Sequence, residues 1–375
     1  MIQVDYRLYL CIQCLMKSHT FLKKPTGQLL ILITLLFSMC LGARSDNRKN
    51  DLLAAVSLNG KMGFINTAGE FVIPSQYTRA FPFFNGLATV NSGGQAHGGL
   101  VVNGKYGYIN RLGEMVVKPQ YLMALAFKEG FATVELGNLN MGFIDKTGKV
   151  IARGFKMLGS FHEGLAVAMD QTGKKIGFVD TSGQWVLQFP FGRKYSHPLG
   201  NFSQGLAYVM RIGDYQSGYM NNKGDIAIPF QFDAASAFSE GFAAVMKQRK
   251  WGYIDLDGKM VIPCQYDEAG PFTEELAYVR HNGQYGFIDT SGKLVVEHRF
   301  KKVTSFSDGL AAVKINQKMG YIDKTGSIVV EPTFKKALPF QFGLAAVYFD
   351  GKAGFIGKNG EWIIKPQFDA AGSFH

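Results

Sequence analysis

A glycine followed by an aromatic and then an apolar residue recurs nine times along this chain, at Gly63, Gly107, Gly142, Gly177, Gly218, Gly252, Gly286, Gly320 and Gly354. The last five are spaced by 34 residues each, and Gly107, Gly142 and Gly177 by 35. Only the intervals after Gly63 and Gly177 are long, at 44 and 41 residues. A fixed period of this size means one supersecondary unit copied in tandem. Each unit is too small to bury its apolar face alone, so the copies must stack on one another.

Each copy reads as a β-meander. Leu310-Ala311-Ala312-Val313 is a first strand, Gly320-Tyr321-Ile322-Asp323 a second, and Ile328-Val329-Val330 a third. Pro332, which cannot donate to a ladder, is expected to stop that third strand. Asp or Asn with Gly three residues later, as in Asp323 to Gly326, suits a tight turn between the second and third strands. The glycine inside the second strand marks a bulge or a close approach by a neighbouring copy. No segment sustains a helical period, so the fold class is all-β: about nine three-stranded meanders in tandem.

Two aromatics six residues apart accompany the repeat: Tyr77 and Phe83, Tyr121 and Phe127, Phe155 and Phe161, Phe232 and Phe238, Tyr266 and Phe272, Phe300 and Phe306, Phe334 and Phe340, Phe368 and Phe374. The fourth copy has Phe191 and Phe202, with five extra residues between them. A ladder of this kind is expected to be core, each ring burying on the order of 150 Å² or more. The competing reading is a ladder of exposed rings that stack on a ligand.

The first 45 residues stand apart from the array. Leu29 to Leu36 is apolar and continues through Phe37 to Leu41; Lys17, Lys23 and Lys24 precede it, and Gly42, Ala43 and Ser45 follow. A basic leader, a short apolar core and a small-residue exit predict a secretory signal peptide over 1–45. The apolar run is short of the roughly 20 residues that span a bilayer. Met16 followed by Lys17 reads better as a start than Met1, which makes 1–15 an extension. A lipoprotein anchor would make Cys40 the new N-terminus, and Met39 is a poor residue just before it. Residues 46–52 form a short polar linker to the array at 53–375. Cys11 and Cys14 lie upstream of the expected cleavage and are not read as a metal or redox site. Cys264 is then the one cysteine of the body, so no internal disulfide supports it. Removing five Lys/Arg and one Asp from the 40 basic and 29 acidic side chains leaves 35 and 28, a net of +7.

The copy Lys250-Trp251-Gly252-Tyr253-Ile254-Asp255, followed by Val261-Ile262-Pro263, Gln265-Tyr266-Asp267 and Phe272, resembles the WG (KWG) repeats of bacterial proteins. The resemblance covers roughly residues 53–375. The signature tryptophan is present only at Trp251; Met62, Tyr106, Met141, Ile176, Ser217, Tyr285, Met319 and Ala353 hold its slot elsewhere. Glu275 stands where other copies have Gly. The family brings no reaction and no catalytic residues, so the resemblance implies a binding or scaffold role. The array is expected to be an open, twisted, solenoid-like stack, which tolerates any copy number. The alternative is a closed, propeller-like ring in which Leu53 to Val56 pairs with the last copy and no edge remains.

Little in the sequence suggests catalysis. Asp145, Asp180, Asp255, Asp289 and Asp323 occupy a turn position that Asn66, Asn110 and Asn221 share, and Asn there ends acid/base chemistry. Asp255-x-Asp257-Gly258 lacks the spacing and final Glu of a calcium loop. His97, His162, His197, His281, His298 and His375 show no metal-ligand spacing. No cofactor, metal or catalytic residue is expected. Candidate partner contacts come from what differs between copies. Asp233, Asp267 with Glu268, and Asp369 follow the first ladder aromatic in three copies, whereas Lys301, Lys302, Lys335 and Lys336 take that position in two consecutive ones. The long intervals add loops containing His97 and, in the other, Arg193, Lys194, Tyr195 and His197. Insertions in a repeat array often lie on its binding face. The function expected is an exported, non-catalytic scaffold for an envelope protein; the alternative is a carbohydrate or cell-wall binding module using exposed aromatics. An acidic polymer is a further candidate for the lysines. Nucleic acid is not expected, because +7 over about 330 residues is a modest field and an exported protein rarely meets it.

Overall fold

The structure is a computed structural model that describes residues 51–97, 100–190, 195–196 and 200–375. The expected leader with Cys11, Cys14 and Cys40 lies outside the described residues, as do Phe191, Arg193, Lys194 and His197. Leu52–His375 forms one compact unit built of antiparallel strands.

The sixth repeat shows the local logic. Its strands are Phe242–Lys247, Lys250–Asp255 and Met260–Tyr266. The first two strands each bury three consecutive residues, among them Val245, Tyr253 and Ile254, while the third buries Ile262 and Tyr266. The third strand does not stop at its proline. Trp251 pairs with Tyr266 and Tyr253 with Ile262, so two steps of the second strand face four of the third. Pro263 sits within that bulge, where the ladder asks for no N–H donor. The same holds at Pro332, which lies inside the strand Ile328–Phe334. The bulge explains the recurrent glycine. A Cβ on Gly252 would lie 2.4 Å from the Ile262 carbonyl oxygen, and one on Gly320 would lie 2.5 Å from that of Val330. The close approach therefore comes from the third strand of the same copy, not from a neighbouring copy.

Nine such meanders lie in eight sheets of three to six strands, because the third and fourth share a six-stranded sheet through the long strand Val150–Leu158. A separate hairpin, Gln95–His97 with Leu100–Val102, fills the long interval of the second repeat. The expected open stack is overturned. The strand Ala370–Phe374 pairs with Ala54–Leu58, and Leu53 and His375 exchange backbone hydrogen bonds of 3.2 and 3.1 Å. The array is a closed ring of the β-propeller type.

Packing between copies runs round the ring without a break. A Cβ on the turn glycine Gly258 would meet the Ile228 side chain of the preceding repeat, Gly292 would meet Ile262, and Gly326 would meet Val296. The same contact joins Gly69 of the first repeat to Ile364 of the ninth. The ladder is core, as expected. Each second-strand aromatic packs on a ladder ring, from Phe64 on Phe83 at 4.8 Å to Phe355 on Phe374 at 4.8 Å. Closing the ring lets every copy bury both apolar faces, which an open stack would deny to its two ends. Closure also removes the free sheet edges at those ends.

Candidate functional site

Because the strands are antiparallel, the end of the first strand, the start of the second and the end of the third share one face of the ring. The opposite face carries the Asp/Asn turns between second and third strands. The described ones among the sequence-predicted partner residues fall on the first of these, the hairpin face. His97 ends the strand Gln95–His97, inside the insertion between first and second strands of repeat two. Tyr195 begins the strand Tyr195–Ser196, which follows the third strand of repeat four. Lys301, Lys302, Lys335 and Lys336 directly follow third strands and are exposed. Residues from four repeats, up to 239 positions apart in the chain, thus share one surface.

The position after the first ladder aromatic has a defined job where it is acidic. Asp267 accepts a 2.6 Å bond from Lys250 of its own repeat, and Asp369 one of 2.6 Å from Lys352. These lysines hold both carboxyls below the usual range. Carboxylates at this position also cap the hairpin turn of the next repeat: Gly60 N–H donates to Asp369 at 3.3 Å and Gln248 N–H to Asp233 at 2.7 Å. In Asp369 this cap crosses the ring closure. Lys301 and Lys335 occupy the equivalent positions and can supply neither contact.

On the other face the acids are structural. The Asp255 carboxylate accepts N–H bonds from Asp257 and Lys259 at 3.1 and 2.9 Å, and Asn110 makes the same pair with Leu112 and Glu114. Hydroxyl bonds from Thr147, Ser291 and Thr325 hold Asp145, Asp289 and Asp323 below the usual carboxylate range. A second series was not legible in the sequence. Glu129 accepts from Glu163 and Gly164, Glu163 from Gln204 and Gly205, and Glu240 from Glu274 and Glu275, all at 2.6–2.9 Å. Glu274 and Asp308 continue it to Gly309 and Gly343. Equivalent positions of adjacent repeats come within reach of one side chain only where the circumference is small, so this belt runs close to the axis. The chemical identity of the belt varies among Asn, Gln, Asp and Glu, and no spacing signal could have announced it. A cavity of about 730 Å³ opens beside Glu240, Glu274, Asp289 and Lys324. The carboxylates of Glu240, Glu274 and Asp289 are committed to turn contacts and, for Glu274, also to Lys324 at 3.4 Å.

The remaining singled-out residues are interior or partly so. Phe272 is fully buried, 4.8 Å from the Tyr253 ring and 5.0 Å from Phe242. Trp251 is half-buried against the core shared by repeats six and seven. Cys264 is half-buried, and burial raises its thiol pKa, which keeps it protonated. Tyr108, Tyr219, Tyr253 and Tyr321 donate from the second strand to carbonyl oxygens at 2.6–2.8 Å in the segment leading to the next repeat. Burial raises all four phenol pKa values. Phenylalanine serves in the other five copies, so this bond is an optional addition to the packing.

Comparison with known proteins agrees with this architecture. A crystal structure described as that of the eukaryotic initiation factor is similar at 10% identity, covering 85% of this chain and 96% of that one, with a TM-score of 0.59. A designed protein, Ika8, is 12% identical over 66% of this chain and 85% of its own, at a TM-score of 0.40. BamB from Moraxella catarrhalis is 8% identical over 78% and 92%, at 0.39. These likenesses concern the fold alone, and the last two are weak. No curated protein sequence matches the chain. The WG containing repeat matches at residues 62–95, 106–139, 141–174, 176–213, 218–251, 251–285, 285–318, 319–352 and 354–375. The ninth match covers 354–375, and the strand Ala54–Leu58 from the other end of the array pairs there with Ala370–Phe374. With this repeat matched along nearly all of residues 62–375 and folded as a ring of meanders, the chain belongs to the family of WG-containing-repeat proteins.

Proposed function

We propose that this protein is an exported, non-catalytic scaffold whose hairpin face docks another protein of the bacterial envelope. The observation that supports this reading is a division of labour within each repeat. The ladder aromatics of the described copies are buried, while the copy-to-copy differences in charge and loop length gather on one face. A carbohydrate module would need rings at the surface to stack on sugars. The exposed rings on the hairpin face, such as Phe81 and Phe349, do not recur from copy to copy, which favours a protein partner. Export rests on the Lys-flanked apolar block and its small-residue exit.

Photo-crosslinking in cells producing the full chain tests this. A crosslinker at Lys302 on the hairpin face is expected to trap one envelope protein, whereas one at Lys146 on the opposite face traps none. The trapped chain should begin at about residue 43–46. Equal labelling from both faces, or release from isolated cell wall by free sugar, overturns the scaffold reading; an intact Lys23 and Lys24 overturns export by a cleaved signal.

A further inference from the structure

The lysines of repeats seven to nine form more than four scattered charges. Repeats six and nine place an ion pair on the hairpin face, Lys250 with Asp267 and Lys352 with Asp369. Repeat eight puts Lys318 and Lys335 in the same two positions, so a pair that attracts in repeats six and nine is here two like charges. Lys314 lies beside Lys302, whose carbonyl accepts its N–H at 2.8 Å. Lys336 rests over the Tyr348 ring, 4.9 Å from its centroid. None of Lys301, Lys302, Lys314, Lys318, Lys335 and Lys336 makes an ion pair among the described residues. Asp350 is the one acid in the hairpin turns of repeats eight and nine. Phe349 lies next to it, 39% exposed and packed on Trp362 at 6.2 Å.

We propose that this sector of the ring, Lys301, Lys302, Lys314, Lys318, Lys335 and Lys336 with Phe349 beside them, binds an acidic segment of a protein partner that carries an apolar anchor. The inference rests on the scaffold reading and specifies the chemistry of its partner. The physical argument is positive charge left uncompensated in two successive copies. An acid follows the first ladder aromatic in three of the nine copies, Asp233, Asp267 and Asp369, and a lysine in three, Lys156, Lys301 and Lys335; only repeats seven and eight add a second lysine, Lys302 and Lys336. Four lysines so placed gain little for folding, and arrangements that cost stability collect at functional sites. Clustered like charge raises the local potential and draws an oppositely charged segment from solution. Lysine presents mobile point charges that do not demand the planar geometry of bidentate guanidinium binding. That suits a run of Asp and Glu side chains. Phe349 gives the apolar residue of such a segment a surface to cover.

Fluorescence anisotropy of a labelled peptide containing Asp, Glu and Leu, titrated with the full protein, tests this. Binding is expected to weaken by about tenfold or more in the variant K301E/K302E/K335E/K336E, and to weaken with salt between about 50 and about 300 mM as screening grows. A second variant, K146E/K149E/K223E/K259E, changes as much charge on the opposite face and should bind like the parent. Should the first variant fail to fold, the corresponding Lys→Gln set carries the test, with the same direction of effect. Equal loss in both charge-reversed variants reduces the effect to net charge and overturns the proposal. So does a sulfated oligosaccharide that binds as tightly as the peptide through the same lysines, because the partner is then a polymer. If the peptide fails to bind while the crosslink from Lys302 persists, the acidic-partner assignment falls and the scaffold reading stands.

Discussion

At the scale of single residues, two positions carry most of what this repeat demands. Gly252 and its eight counterparts are glycine because a carbonyl oxygen of the bulged third strand occupies the place of a Cβ. The recurrence of glycine was legible, but the atom it avoids was not, since a bulge in a partner strand leaves no mark beside the glycine itself. Glu275 is the other instructive position. Its φ is +70°, in the left-handed region, where its counterparts Gly241, Gly309 and Gly343 also lie. A side chain there is strained, whereas glycine is not. Glu275→Gly is expected to stabilise the ring by about 0.5–1 kcal/mol, the range for relieving such a site after the entropy of glycine is counted. A higher midpoint in denaturant would show it; a lower one would mean that the side chain holds a contact worth more than the strain. Phe272→Ala should act in the other direction. The ring is fully buried between Tyr253 and Phe242, so emptying its site is expected to cost about 3–5 kcal/mol. An unchanged unfolding midpoint would refute the core assignment.

At the scale of the element, the meander is held to its neighbours by several kinds of contact that the sequence announces unequally. The aromatic ladder was announced by its six-residue spacing, kept in eight of the nine copies, whereas the packing of each second-strand ring on it emerged only in the fold. The Asp and Asn turns were announced by their glycine, and Asp255 bonding to Asp257 and Lys259 is the expected geometry. The belt of Glu129, Glu163, Glu240 and Glu274 was not, because its acceptors bond to a different repeat and any short polar side chain suffices. Glu240 accepts from two N–H groups of the next turn, at 2.7 and 2.8 Å. Removing the acceptor leaves those donors to water. Glu240→Ala is expected to lower stability by about 1–2 kcal/mol, in line with hydrogen bonds to a charged group that stay partly solvated. The sharper readout is local: hydrogen exchange at the amides of Glu274 and Glu275 should accelerate well above that at Gly164 and Gly205, whose acceptors are intact. Uniform acceleration around the ring would mean that the belt acts only through global stability.

At the scale of the whole molecule, closure is the property on which the others depend. The segment 370–375 pairs with Ala54–Leu58, seats Phe374 against Phe355 and offers the His375 carbonyl oxygen to Arg111 at 3.1 Å. Truncation before Ala370 should unpair the edge of the first strand and expose the core between repeats nine and one. The expected outcome is a lower unfolding midpoint and concentration-dependent association through the freed edge, read by light scattering. A monomer of parental stability would show that the ring does not need its clasp. The sequence by itself determined that the chain is all-β and holds nine copies of one meander, and made the core the expected place of the aromatic ladder, because local spacing and burial preference recur along the array. It could not decide between a stack and a ring. That depends on the small rotation from each copy to the next, which is set by side chains meeting across repeats, such as Gly258 against Ile228. Only the tertiary structure sums nine such rotations, brings Asp369 to Gly60, and gathers the loops and lysines of separate copies onto one face.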